Sequence, residues 1–445
     1  MFNLRKGLIG SAVFLAFILL NSPVRATTLK ESVELALKQN PAVIASSKKV
    51  NAASARLSQA VGAFMPTVKL DGNLNRTYSS PQTVQITTQT TSGAYTTTMR
   101  FGINDPQNIQ GIQASLSQPV FVAALFPGYG IAKKGADLAK QDFQRVSIET
   151  VYNVTQAYFG VIRADRGLKL AIESLDTAKS HQAQVQSMLN AGVATKADLL
   201  RAEVQVANFE VGVTKARNSL DLAKDAYNNA LGNDLETPIS LQETGFTGKV
   251  NNLPNYAKLK EVAFANRPDW QEFLLQTGIS KDTLHLAQTD YLPTVMLSAA
   301  SGSQRTENPV YNSDVSNWNV VGAASWKLFD GLSRENKVKE AAANLSAQYA
   351  TEDQLKNNIA LEVRDAFLNL RCALDTIGSS QKAVDSAIES YKVSDMRFAS
   401  GAGTNLEVID AQTSLNSARF DLLQALFDVE IAKAKVNKVV GKEVI

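Results

Sequence analysis

Ala411, Ala418, Ala425 and Ala432 stand seven residues apart and alternate with Val408, Leu415, Leu422, Val429 and Val436, which makes a strict 3,4 apolar spacing. Such a period keeps one stripe of a helix turned toward a partner over many turns, and alanine at one seam position lets the two backbones approach closely. The stretch therefore reads as a long helix packed side-on along its whole length. Subtracting 209 from each position gives Leu199, Ala202, Val206, Phe209, Val213, Ala216, Leu220, Ala223 and Tyr227, the same seam with larger residues at one site. The offset also pairs Val154 with Val363, Ala157 with Ala366, Tyr158 with Phe367, Gly192 with Gly401 and Gly232 with Gly441. An insertion-free duplication thus covers residues 154 to 232.

The first 26 residues carry Arg5 and Lys6, an apolar run from Leu8 to Leu20, and Val24-Arg25-Ala26, the pattern of a secretory signal peptide with its cleavage site. The remainder has 42 basic and 42 acidic side chains, a balance that gives nucleic acid nothing to bind. It contains no apolar run of 18 residues, so any contact with a bilayer falls to strands. The single cysteine, Cys372, lies inside a predicted helix and excludes a disulfide framework.

Thr28-Leu-Lys-Glu31 has capping-box spacing and Asn40-Pro41 marks a second helix start, which places helices over 29–64. Val68, Leu70, Gly72 and Leu74 then alternate with Lys69, Asp71, Asn73 and Asn75, predicting a half-buried strand over 67–75. Residues 76 to 109 are rich in Thr, Gln, Ser and Asn and read as a long polar loop, with a turn at Ser92-Gly93. A second strand follows at 110–121, and helices at 131–189 and 196–231 complete a first repeat over 27–245. The second repeat, 246–445, keeps the order: Arg267-Pro268 matches Asn40-Pro41 and Pro293-Thr-Val295 matches Pro66-Thr-Val68, both at an offset of 227. Its elements are helices over 256–291, strands at 294–302 and 317–329, and helices at 333–399 and 405–440. The 18 residues by which the two offsets differ fall in the long polar loop, where insertion costs least.

The fourth strand sets Trp318, Val320, Gly322, Ala324, Trp326 and Leu328 on one face. At ~3.3 Å per residue and a ~40° tilt, its two tryptophans bracket about 20 Å of height, the spacing of a lipid-interface girdle. A soluble sheet with two core tryptophans is the alternative. Four strands cannot close a barrel, and an open edge in lipid leaves backbone groups unsatisfied, so closure must come from other subunits. The polar inward faces (Lys69, Asp71, Asn73, Gln113) favour three copies and twelve strands.

At this point the chain resembles the TolC family of trimeric outer-membrane channels, over the whole sequence that follows the signal. The resemblance rests on four features in order: the Thr28-Leu-Lys-Glu-Ser-Val-Glu-Leu-Ala-Leu-Lys-Gln-Asn-Pro41 opening, the Leu328-Phe-Asp-Gly331 strand exit, the duplicated helical hairpin, and the tip Arg397-Phe-x-x-Gly401-x-x-Thr404-x-x-Glu407-Val-x-Asp410-Ala411. It implies a mainly α fold with β: a twelve-stranded transmembrane β-barrel, four strands per chain, continued by a long periplasmic α-helical coiled-coil barrel. It further implies a homotrimer in outer membrane lipid, whose lower end docks a periplasmic adaptor and an inner-membrane pump. Met188 stands at the first tip where Arg397 stands at the second, Leu332 replaces a second glycine, and Gly403 replaces a charged residue of some members. With Ile445 just past Gly441, no C-terminal extension around the tunnel is expected.

Gly192 and Gly401 sit where a descending helix must end, and Thr195 and Thr404 each stand three before an acid, Asp198 and Glu407. Locally this is a C′ glycine followed by a capping box. Under the resemblance the same turns, with Val193, are the adaptor-docking tips. Asp410 has no capping duty; with Glu407 it is a candidate for an acidic ring at the entrance, a solvated helix face being the alternative. His181 and His285 are solitary, and no HExxH, GxSxG or phosphate-loop pattern occurs, so neither enzyme chemistry nor a cofactor or metal is expected. Export conduit is the reading; a soluble periplasmic coiled-coil scaffold and a stand-alone diffusion porin are its alternatives.

Overall fold

The computed structural model describes residues 27–78, 80–101, 106–242, 255–307 and 312–445. The expected signal peptide, 1–26, lies outside the described residues. Helix α1 (Leu29–Gln39) starts at a closed capping box: the Thr28 hydroxyl accepts the Glu31 amide at 3.3 Å, and the Glu31 carboxylate accepts the Thr28 amide at 2.8 Å. Pro41 then opens α2 (Pro41–Gly62), a first position where its missing N–H costs no helical bond. Strands β1 (Thr67–Thr77), β2 (Gln82–Thr90), β3 (Gly93–Phe101) and β4 (Gln107–Val122) precede α3 (Leu125–Asn190) and α4 (Lys196–Leu231). The order then recurs as α5 (Tyr256–Asn266), α6 (Pro268–Thr289), β5 (Thr294–Glu307), β6 (Asn312–Ser325), α7 (Ser333–Ala399) and α8 (Asn405–Val440). With 66 and 67 residues, α3 and α7 each have a contour of about 100 Å.

α3 begins six residues before the expected 131. Pro127 and Gly128 argue against a helix in sequence, but both fall in its first turn, where N–H groups have no partner inside the helix.

The chain forms two compact units, and each draws on both sequence repeats. One holds the described residues up to Val50 together with Ala139–Phe273 and Thr351–Ile445. In it the duplication is written into the core. Val154, Tyr158, Leu220, Tyr227 and Leu231 cluster with Ala36 of α1, while Val363, Val429, Val436 and Val440 cluster with Leu259 and Ala263 of α5. Four of these pairs lie 209 residues apart: Val154 with Val363, Leu220 with Val429, Tyr227 with Val436, and Leu231 with Val440. The tyrosines of the first cluster bury their rings and keep hydroxyl partners, Tyr158 on the Gln242 carbonyl at 2.6 Å and Tyr227 on Ser32 at 2.6 Å. Along α8 the seam residues Val408, Ala411, Leu415, Ala425, Val429, Ala432 and Val436 are buried, and Ala418 and Leu422 half-buried. On α4 Leu199, Ala202, Val206, Leu220 and Tyr227 are buried and the rest of the seam half-buried, so no seam position reaches solvent fully.

The other unit, Asn51–Leu138 with Leu274–Ala350, contains the strands. They form an antiparallel sheet in the order β1-β4-β5-β6 and a separate β2–β3 hairpin. The hairpin corrects the expected polar loop at 76–109. Its threonines favour extended backbone, and Val84 opposite Met99 and Thr88 opposite Tyr95 show the period-2 pairing that composition concealed. The turn does fall at Ser92-Gly93, with Gly93 at φ +133. β6 also differs from the expected 317–329: it starts at Asn312 and stops at Ser325. The reason lies in the next residues. The Arg334 guanidinium takes the Lys327 and Leu328 carbonyls at 2.8 and 3.0 Å, and the Trp326 indole N–H donates to the Tyr291 carbonyl at 3.0 Å. These bonds draw the chain out of the ladder. The turn that follows holds Gly331 and Leu332 both at positive φ, +69 and +66.

Seam tightness is testable at Ala425, which is 4 % exposed. Leucine there overpacks the seam and costs ~1 to 3 kcal/mol per copy, read as a lower thermal midpoint. Ala343→Leu, on an exposed face of α7, stays within about 0.5 kcal/mol of the parent. Equal midpoints for the two variants would contradict close packing at the seam.

Candidate functional site

Two features fall outside the needs of a packed core: the turns joining α3 to α4 and α7 to α8, and the faces of the four-stranded sheet. At the first turn Gly192 has φ +75, and the amides of Val193 and Ala194 both reach the Met188 carbonyl, at 2.9 and 3.2 Å. At the second, Gly401 has φ +76, and the amides of Ala402 and Gly403 reach the Arg397 carbonyl at 2.8 and 3.0 Å. The left-handed glycine lets the chain fold back and satisfy the helix-end carbonyl. One geometry is thus built twice.

The returning helices start differently. Thr195 and Asp198 close a full capping box: the Asp198 amide donates to the Thr195 hydroxyl at 3.2 Å, and the Asp198 carboxylate accepts the Thr195 amide at 3.1 Å and hydroxyl at 2.6 Å. The hydroxyl bond is the main reason the Asp198 carboxyl sits below the usual carboxylate range, with the Thr195 amide and Arg201 acting in the same direction. At the second tip the Glu407 amide donates to the Thr404 hydroxyl at 3.3 Å, while the Glu407 carboxylate also faces Arg397 at 3.6 Å. Arg397 further donates to the Ala402 carbonyl at 3.2 Å, a brace the first tip lacks because Met188 stands there. Asp410 is exposed one turn further along α8, and Val193 is exposed at the apex of the first turn.

The tips are joined by residues that sequence reading passed over. Asn405 is buried and donates to the Asp198 carbonyl at 2.9 Å, and its side-chain oxygen lies 2.7 Å from Nε2 of buried His181. Seven residues along each helix, Gln412 donates to the Ser174 carbonyl at 3.3 Å. The signal was present in the sequence as polar residues at heptad spacing, Ser174 with His181 and Asn405 with Gln412.

On the sheet, directly opposed residues share a face. Leu70, Ala114, Ser301 and Trp318 form one row, and Val68, Leu116, Ala299 and Val320 the next. The intervening rows, Lys69, Ser115, Ala300 and Asn319, then Asp71, Gln113, Gly302 and Asn317, belong to the opposite face. Leu70 and Trp318 are 71 % and 78 % exposed, so the apolar face is bare in the single chain. β1 and β6 are open edges. Trp326, expected on the same strand face as Trp318, lies just past the strand end; it is exposed in company with Leu328, Phe329, Val120 and Phe126 at the junctions between strands and helices. No helix among the described residues is long and apolar enough to cross a membrane.

The family described as outer membrane efflux protein matches residues 32–233 and 259–442. The chain belongs to that family. Outer membrane protein TolC of Escherichia coli (strain K12) is 24 % identical over 352 residues, covering 76 % of this chain and 70 % of that protein. Alkaline protease secretion protein AprF of Pseudomonas aeruginosa is 24 % identical over 96 % of this chain and 88 % of its own. Among solved structures, VceC of Vibrio cholerae superposes with a TM-score of 0.75 at 16 % identity, covering 93 % of this chain and 96 % of that one. The CmeC outer membrane channel of Campylobacter jejuni gives 0.75 at 17 %, covering 93 % and 86 %. The fold is that of the family's outer-membrane channels, mainly helical with a strand domain, and the protein resides in the outer membrane.

Thr195→Ala removes the first cap and costs about 1 kcal/mol. Because the Asp198 carboxyl is depressed in the folded tip, its contribution is full above the ordinary aspartate value and is lost as pH falls through the lowered one. Unfolding of the parent should therefore show an acid-dependent loss below about pH 4. In Thr195→Ala that loss should shrink, as equilibrium denaturation at stepped pH would reveal.

Proposed function

We propose that the chain is one subunit of an outer-membrane channel-tunnel that exports small molecules or proteins together with a periplasmic adaptor and an inner-membrane pump. The observation that carries this reading is the sheet: four antiparallel strands, one face apolar and bare, the other polar, and both edges open. In hydrocarbon every unpaired edge group costs several kcal/mol, so such a sheet spans a membrane only when copies close it. Three copies give twelve strands, a bore wide enough for a polar lumen. The helices support the same closure. α4 leaves Leu200, Val204, Val211 and Leu222 exposed, and α7 leaves Leu361 and Leu368 exposed, apolar stripes that neighbouring copies can cover.

A stand-alone porin has no use for helices of this length, and a soluble scaffold has none for a two-faced open sheet. The relatives' names cover protein secretion in one case and cation efflux in another, CusC of Escherichia coli (strain K12) being 23 % identical over 68 % of this chain. That breadth accords with cargo being chosen by the pump. In this reading the turns around Gly192, Val193, Thr195 and Asp198 and around Gly401, Thr404 and Glu407 are the adaptor-docking tips. Trp318 and Trp326 lie at the lipid interface. The entrance ring proposed for Glu407 and Asp410 falls mainly to Asp410, because Arg397 already offsets the Glu407 charge.

The deciding experiment is chemical cross-linking of intact cells followed by membrane fractionation. A trimer recovered with the outer membrane, and loss of export when the gene is deleted beside its pump, are the expected results. Recovery as a soluble monomer would overturn the assignment. In single-channel recordings Asp410→Asn should weaken divalent block and lower cation preference, since rings of carboxylates favour cations. Glu407→Gln should act chiefly by loosening the tip.

A further inference from the structure

One side chain at the tips is chemically incomplete. His181 is 4 % exposed, and its Nε2 lies 2.7 Å from Oδ1 of Asn405. Asn405 spends an amide N–H on the Asp198 carbonyl, so the oxygen that faces the ring can only accept. Nε2 is therefore the protonated nitrogen. Nδ1 carries the lone pair and is buried without a hydrogen-bond partner. The ring stands against Phe398 with centroids 5.3 Å apart, and Phe398 belongs to an apolar cluster with Val185, Leu199, Ala202 and Val408.

We propose that the His181–Asn405 contact is a proton-sensitive tie between the two helical hairpins, holding α3 to α8 when the imidazole is neutral and releasing them when Nδ1 is protonated. A proton at Nδ1 places a donor and a full charge in a buried site that offers no acceptor, and an unpaired buried charge is strongly disfavoured. The ring must then leave its place, and the bond to Asn405 goes with it. The titratable groups on the turns around it have other engagements or lie in solvent. Lys179 of α3 pairs with Glu210, Asp198 of α4 with Thr195 and Arg201, and Arg397 of α7 with Glu407 of α8. Tyr391 of α7 is half-buried, with burial and the Asp395 charge both holding it protonated, and Asp410 is exposed. None of these is ion-paired to the ring among the described residues. One heptad further along, the same seam is again held by directional bonds, Gln412 donating to the Ser174 carbonyl at 3.3 Å and the Ser174 hydroxyl to Asn416 Oδ1 at 2.6 Å. At both levels α3 thus meets α8 through bonds that hold only while donor and acceptor stay matched, beside the apolar cluster of Val185, Phe398 and Val408. Since the charged ring is excluded from the tied state, the tie is present at higher pH and lost as pH falls, and the test below compares about pH 8 with about pH 5. Its bearing on transport rests on the tips being the entrance proposed above; the tie itself does not.

The test places spin labels at exposed Leu200 on α4 and Leu406 on α8 of the full-length protein, with the exposed Cys372 replaced by serine. Labelled chains are diluted into unlabelled ones, so the measured distance is within one chain whatever the oligomeric state. The expected result is one distance at the upper pH and an added, longer component at the lower. His181→Gln, which keeps a donor and does not titrate, should give the same distribution at both. Asn405→Asp offers a carboxylate to the charged ring and should reverse the response, with the shorter distance favoured in acid. A parent distribution that does not change with pH, or a shift that persists in His181→Gln, would overturn the proposal. Should His181→Gln not fold, the sign of the Asn405→Asp response decides alone.

Discussion

Close approach of helices along an alanine-bearing seam is the constraint on which the remaining architecture depends. α8 can lie against α5 and α7 at one end and beside α3 near the tips only because Ala411, Ala425 and Ala432 leave room for neighbouring backbones. The buried seam then fixes which residues face outward. Asp410 is exposed because Val408 and Ala411 are not, and Leu200 and Val204 are bare because Leu199 and Ala202 are buried. A helix with a single wide apolar stripe hides all of it inside one chain. α4 and α7 carry apolar residues on a second face as well, the mark of a surface that expects company.

What could be read from residues alone was whatever obeys a period. The 3,4 spacing gave the helical class, and the alternation at Val68 to Asn75 gave a strand with two unlike faces. Signals that are chemical and not periodic lie outside such a pattern. Threonine and glutamine from Gln82 to Phe101 suggested a loop, although β-branched threonine favours the extended chain and pairing of two strands needs only backbone groups. β6 ends four residues before the expected 329 because, although alternation continues through Trp326 and Leu328, the backbone there is captured by Arg334, a partner separated in sequence and invisible to any pattern. The start of α3 lies six residues before the expected one, since Pro127 and Gly128, residues that break a helix interior, are harmless in its first turn.

At the tips, local and long-range contacts divide along the same line. Gly192, Gly401, Thr195 and Thr404 act within a few residues of themselves and could be understood one turn at a time. His181 and Asn405 are 224 positions apart, and their meeting depends on both hairpins being folded. A solitary histidine carries no information in sequence until a partner from the other repeat arrives. The two tips are also not equal. Arg397 braces one of them against Glu407 and Ala402, whereas Met188 leaves the other to its capping box, so the duplication has produced two ends held by different contacts.

The open edges of the sheet have a consequence for how the protein comes into being. A strand at the margin of β1 or β6 keeps its amides and carbonyls hydrated only while water is present, and the bare row of Leu70, Trp318 and Val320 is comfortable only where water is absent. No single environment suits both in an isolated chain. In the closed assembly proposed above, passage into lipid is therefore a joint event, in which edges find partners before or as the apolar face is immersed. The helices, whose stripes can meet in water, are the parts able to gather the participants first. On that proposal biogenesis proceeds from the helices toward the membrane, with chains that have yet to meet held back by the polarity of their own sheet margins.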